Sequence, residues 1–110
     1  MEQEDAFIIE VRQAVLDHLT DEAFGVDQLA SETGYSRSQL HRKLKALTGK
    51  STTALIRSVR LAEATKLLRQ PDKNISEVAY AVGFNSLEHF SRSFKEEYGQ
   101  TPGEYRGEWV

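Results

Sequence analysis

Val26, Leu29, Ala30, Gly34, Tyr35 and Ser36 recur 49 positions later as Ile75, Val78, Ala79, Gly83, Phe84 and Asn85. Beyond them the offset becomes 50, and Leu40, Arg42, Leu44, Lys45, Gly49 and Ser51 reappear as Phe90, Arg92, Phe94, Lys95, Gly99 and Thr101. An internal repeat of this length is one supersecondary unit used twice. The slip of one residue lies between the glycine and the following helix, where a turn absorbs it. Each copy reads as a short helix, a glycine turn and a second helix. Ala30 and Ala79 are small enough to let the two helices cross closely, and Gly34 and Gly83 stand where the turn needs φ above zero.

The rest of the chain predicts an all-α domain of about seven helices, with apolar spacing of three and four throughout and prolines only at Pro71 and Pro102. A first helix over 5–19 puts Ile8, Val11, Val15 and Leu19 on one stripe. A short helix over 26–33 stops at Gly34. Ser36 with Gln39 forms a capping box that opens the next helix, closed by Gly49 and carrying Leu40, Leu44 and Leu47 inward. The longest helix, 52–69, spans roughly 27 Å at 1.5 Å per residue and ends before Pro71, so it can hold two lobes apart. Asn74 caps a short helix reaching Val82, and Asn85 with Glu88 opens the helix of Phe90, Phe94 and Tyr98. Thr101, Pro102 and Glu104 start a brief last helix with Tyr105 and Arg106. The organisation is one domain over 1–110, with lobe one at about 5–50, the linker helix at 52–69 and lobe two at about 74–106. Tyr35, Phe84, Phe90, Phe94, Tyr98 and Tyr105 are the expected bulk of the core.

The outward faces carry the chemistry. With Leu40 pointing inward, Ser38, His41, Arg42 and Lys45 cluster on the far side of their helix, and Glu88, Ser91, Arg92 and Lys95 hold the equivalent places in the second copy. Arginine in such a position can bond guanine O6 and N7 in a bidentate way, while lysines further along suit phosphates. The net charge of −3 argues against nucleic acid only as an average. Residues 1–34 carry −8, residues 35–70 carry +8 and the remainder −3, which suggests one face made for phosphates and another turned away from them.

Other classes find little support. With 39% hydrophobic residues, 110 residues suffice for one core. The absence of cysteine rules out disulfides and thiolate metal sites and fits a reducing cytoplasm. No apolar run approaches the length of a membrane helix, and the acidic start Met1 to Asp5 is unlike a signal peptide. His18, His41 and His89 have no companion at metal-ligand spacing, so neither an enzyme nor a metal or other cofactor is expected. A metal held by His41 and His89 across the lobes is explained less well than their matching places on the second helices, and His18 reads as surface.

These stretches resemble the AraC/XylS family of bacterial transcription regulators over nearly all of residues 5–106. The resemblance rests on Val26 to Ala30, Gly34 to Leu44, Ile56 to Leu61, Ile75 to Ala79, Val82 to Ser86, Phe90 to Lys95 and Gly99 to Arg106. It implies two homeodomain-like helix-turn-helix subdomains whose recognition helices enter successive major grooves of double-stranded DNA, about 34 Å apart. The family's base-reading positions fall on Ser38, His41 and Arg42 in the first unit and on Leu87, Glu88, His89 and Arg92 in the second. Phosphate contacts are implied for Arg37, Lys45, Ser86 and Lys95. Further implications are RNA polymerase as a second partner, a role as activator, and a sensing or receiver domain not present in this sequence. The Met1 start and the closing Trp109-Val110 suggest the C-terminal part of a longer regulator, and residues 42–49 look most like the output domains of two-component systems.

Two residues set the second unit apart. Glu88 either accepts from cytosine N4 or repels phosphate, and Leu87 offers only apolar contact, so the first lobe, with Arg37, Arg42, Lys43, Lys45 and Lys50, is expected to dominate specificity. The competing class is a helical protein-interaction module that has lost DNA binding, favoured by the net negative charge and separable by its weak salt dependence.

Overall fold

The computed structural model describes the backbone of residues 2–109 and the side chains of residues 6–108. The acidic start Met1 to Asp5 and the closing Trp109-Val110 lie outside the described side chains. Seven helices and no strand make up the described residues: α1 Glu2–Asp17, α2 Val26–Thr33, α3 Arg37–Thr48, α4 Thr52–Leu68, α5 Ile75–Ala81, α6 Leu87–Tyr98 and α7 Pro102–Trp109. The helix count and order agree with the sequence expectation.

The core is two clusters on one shared helix. Phe7, Val11, Ala14, Val15, Phe24, Leu29, Ala30, Leu40 and Leu44 pack on Leu55, Ile56 and Val59 of α4. Val78, Ala79, Val82, Phe84, Phe90, Phe94 and Tyr105 pack on Leu61, Ala64 and Leu68 of the same helix. The helix therefore joins the lobes by contributing to both cores. Among the described residues no helix of lobe one packs broadly on a helix of lobe two.

The turns are built as the repeat requires. Gly34 and Gly83 have φ of 77° and 91°, and positive φ among the described residues occurs only at glycine. The Ser36 hydroxyl accepts from the Gln39 N–H at 3.1 Å while the Ser36 N–H donates to Gln39 Oε1 at 3.0 Å. Thr101 and Glu104 make the same reciprocal pair ahead of α7. Those two bonds to Thr101, the backbone one first, hold the Glu104 carboxyl below its usual range.

Several expectations need correction. The cap of α6 is Ser86, whose hydroxyl accepts from the His89 N–H at 3.0 Å; Asn85 is the extra residue of the longer turn. Helix α1 ends at Asp17, and Phe7 and Ala14 belong to its buried face, whereas Ile8 is only half-buried. Leu19 lies in the turn that follows and packs against the second cluster rather than the first. Leu47 and Tyr98, expected inside, are 39% and 37% exposed. Both stand in the last turn of their helix, where the apolar stripe outruns the core. Tyr98 leans on Phe94 with ring centroids 4.7 Å apart, and this partial burial, then the charge of Glu97, raises its phenol pKa. Tyr35 is half-buried, edge-on to Phe7.

Candidate nucleic-acid interface

The second helix of each unit, α3 and α6, has twelve residues, begins at a serine cap and ends at a glycine in the left-handed region. Burying Leu40 and Leu44 fixes the rotation of α3, and burying Phe90 and Phe94 fixes that of α6. Ser38, His41 and Arg42 are consequently exposed on one lobe, and Leu87, Glu88, His89 and Arg92 on the other.

In lobe one these residues share a concave surface. Arg37, Ser38, His41 and Arg42 line an open groove of about 700 Å³ together with Val26 and the start of α4 at Ser51, Thr52 and Thr53. Arg37 Nε is 3.2 Å from Asp27 Oδ1, with both side chains at least 70% exposed. An exposed pair of this kind is worth about 0–1 kcal/mol, so Arg37 can exchange its partner at little cost. Lys45 donates to the Gly49 carbonyl at 3.1 Å, a bond that caps α3 yet leaves the side chain at the surface.

Lobe two is arranged differently. His89 sets its ring edgewise against Phe84, 5.2 Å between centroids, and lines a cleft of about 300 Å³ between the lobes with Arg57, Arg60 and Asn85. Ser91, the counterpart of His41, is half-buried. The Ser86 hydroxyl is engaged as the helix cap, whereas Arg92 and Lys95 stand exposed. Glu88 occupies the first turn of α6, while α3 has no acid in its first turn. A carboxylate there offsets the positive end of the helix dipole. The start of α3, which carries Arg37 instead, keeps its full attraction for anions.

The basic middle of the sequence does not form one face. Lys43 Nζ lies 4.7 Å from the Phe7 ring centroid and 5.5 Å from that of Tyr35, Lys66 pairs with Glu63, and Arg69 donates to the Tyr105 hydroxyl. Arg60 is buried. Contacts within the fold thus engage part of the +8 segment, and Arg37, Arg42 and Lys45 are its exposed cations in lobe one. Arg106 donates to the carbonyls of Leu68 and Gln70 and so closes the C-terminal end of α4. His18 is more than surface: it stacks on Phe24 at 4.5 Å and bonds to Glu32.

Arg60 is the residue that sequence reading passed over. Its guanidinium reaches four backbone carbonyls, those of Leu19, Asp21, Phe24 and Val82. The signal was available, because Arg60 follows Ile56 by four residues and precedes Ala64 by four, on the stripe that must be buried. Among the described residues no three His, Asp or Glu side chains gather as a metal site would need, and no helix is long and apolar enough to cross a membrane.

The model of a family described as a helix-turn-helix domain matches residues 29–108. The transcriptional regulator MtrA of Neisseria gonorrhoeae is 38% identical over 96 residues, which is 87% of this chain and 32% of that protein. The C-terminal domain of AraT, a response regulator from Geobacillus stearothermophilus, superposes with a TM-score of 0.81 at 27% identity, covering 93% of this chain and 84% of that one. The DNA-binding domain of the global transcriptional factor AdpA, solved with a target DNA, gives 0.80 at 31% identity, covering 92% and 90%. The chain spans about a third or less of the length of the first curated relatives it matches.

Proposed function

The chain belongs to the helix-turn-helix domain family, in its AraC/XylS branch, and from that premise we propose that it binds double-stranded DNA sequence-specifically in transcription regulation. The observation that carries the reading is the pair of equivalently capped helices, α3 and α6, each turned by its buried stripe so that a matching arginine faces out. The molecule is 40 Å in its longest dimension, enough to reach along one helical turn of DNA, roughly 34 Å. Helices α3 and α6 enter adjacent major grooves on one side of the duplex. Ser38, His41 and Arg42 read bases in the first groove, and Leu87, Glu88, His89 and Arg92 meet them in the second. Arg37, Lys45, Ser86 and Lys95 hold phosphates, with the first-turn N–H groups of α3 and α6 beside them. Lobe one provides most of the specificity, since its groove is lined by two arginines and the start of α3 is free of acid.

The similarity to the response regulator AraT and the transcriptional regulator MtrA supports a place as the DNA-reading unit of a longer regulator; a cytoplasmic setting, a sensing or receiver domain, and action on RNA polymerase as an activator complete the proposal. No catalytic step is assigned to it. A gel shift with random duplex at two salt concentrations tests the core of the reading. Several phosphate contacts make affinity fall steeply as salt rises; affinity that is absent, or indifferent to salt, rejects it in favour of a protein-interaction module.

A further inference from the structure

Arg60 lies in the middle of α4, between the last lobe-one residue of that helix, Val59, and the first lobe-two residue, Leu61. It is 6% exposed, and no carboxylate lies within ion-pair distance of it among the described residues. Its partners are neutral carbonyls from two different turns. Nη2 donates to Asp21 at 3.0 Å and to Phe24 at 3.1 Å, both in the α1–α2 turn of lobe one. Nη1 donates to Val82 at 3.1 Å, in the α5–α6 turn of lobe two, and to Leu19 at 3.4 Å, in the α1–α2 turn again. One nitrogen therefore bridges the lobes while the other anchors the guanidinium to lobe one.

The turns are shaped around this group. A Cβ on Gly83 would lie 1.4 Å from Arg60 Nη1 and 2.5 Å from the Leu19 carbonyl, whereas a Cβ on Gly34, its counterpart in the first repeat, would meet nothing within 4 Å. Gly83 thus answers two demands, the positive φ of the turn and the close passage of Arg60. Leu19 seats its side chain on the second core beside the same contact. Burial lowers the guanidinium pKa, against which the charge of Asp21 works. Arginine remains charged there, and its planar fork can serve two turns at once where a lysine ammonium, a single point of donors, cannot.

Resting on the DNA-binding reading above, we propose that Arg60 is a positioning residue that fixes the angle and distance between the lobes and thereby sets the half-site spacing the protein accepts. A shared helix alone would leave each lobe tied to α4 by its own core. The fork ties the lobes' turns to each other as well.

The test uses the duplex that wild-type protein selects from a random pool, remade with the two half-sites moved apart or together by one or two base pairs. Wild-type affinity is expected to fall about tenfold or more with each such change, the size of a lost base contact. Arg60→Gln and Arg60→Lys should flatten that profile to within about threefold while binding a duplex with only the lobe-one half-site as wild type does. Both variants retaining the wild-type profile would overturn the proposal. Wild type binding no duplex would instead reject the DNA reading and leave the inter-lobe clamp to be decided without DNA. For that, and in case neither variant folds, residual dipolar couplings on wild type should fit both lobes with one alignment tensor. Two independent tensors would overturn the clamp.

Discussion

The two lobes share a helix-turn-helix backbone and fill it by different means. Lobe one uses Leu40 and Leu44 on its second helix and takes the rest of its bulk from α1, which precedes the pair and lies on α2 and α4. Lobe two uses Phe90 and Phe94 and is closed by α7, which follows the pair and lies on α6 and α4. The aromatic stack of lobe two runs from Phe84 through Phe90, Phe94 and Tyr98, with Tyr105 against Phe94. Among the described residues lobe one has no such stack; its aromatic residues sit singly or in pairs around an aliphatic centre. The repeat therefore preserves where side chains point and leaves their volumes free, provided the third wall compensates.

The same division holds on the outside. The exposed face of α3 carries Arg37, Ser38, His41 and Arg42, and that of α6 carries Leu87, Glu88 and Arg92. Selection for a helix angle constrains only the buried stripe, so the outer positions are free to diverge.

The comparison breaks most readily in the cores. Phe90→Ala should cost about 3–5 kcal/mol and Leu40→Ala at the matching position about 2–5 kcal/mol, read from denaturant midpoints. If Arg60 couples the lobes, each variant should still unfold in one transition by two probes, near- and far-ultraviolet circular dichroism.

Next in size is the contrast between recognition helices. Arg42→Ala should lose about 1–3 kcal/mol on the selected duplex and relax base preference at its position, whereas Arg92→Ala should lose less, about 1 kcal/mol or under. Equal losses in a competition assay would remove the asymmetry between the lobes.

The caps come third. Ser36→Ala and Ser86→Ala each delete one helix-start bond and should cost about 1 kcal/mol in chemical unfolding. Gln39→Ala then deletes a second bond in lobe one only, because α6 has His89 where α3 has Gln39.

The smallest effect concerns the α7 cap. Because the fold depresses the Glu104 pKa, its carboxylate stabilises the native state at pH above the ordinary carboxylate range, and this contribution is lost as pH falls from that range through the lowered folded pKa. Glu104→Gln should melt below wild type at neutral pH, with the gap closing in acid. A gap that widened in acid would reverse the assigned sign.

Much of this was legible in the chain because it was local. The bounds of α2, the capping boxes at Ser36 and Thr101 and the positive φ of Gly34 and Gly83 follow from a few adjacent residues and the geometry of one turn. The outward set on α3 follows from periodicity alone. What periodicity misjudged were residues whose surroundings come from elsewhere. Leu47 and Tyr98 have the right phase but extend past the end of the core, and Ser86 won the cap from Asn85 because the second turn is one residue longer.

The repeat determined by itself that there would be two helix-turn-helix lobes and which helix faces they would bury, since both depend on spacing within one helix. Only the tertiary structure decided which charges are engaged by other parts of the chain. Lys43, Arg60 and Arg69 read as part of a basic face, yet each is claimed by a ring, a carbonyl or a hydroxyl at least 20 residues away in sequence. A charge is held at the surface or drawn inward by the partners the fold brings to it, and those partners are not its neighbours in the chain.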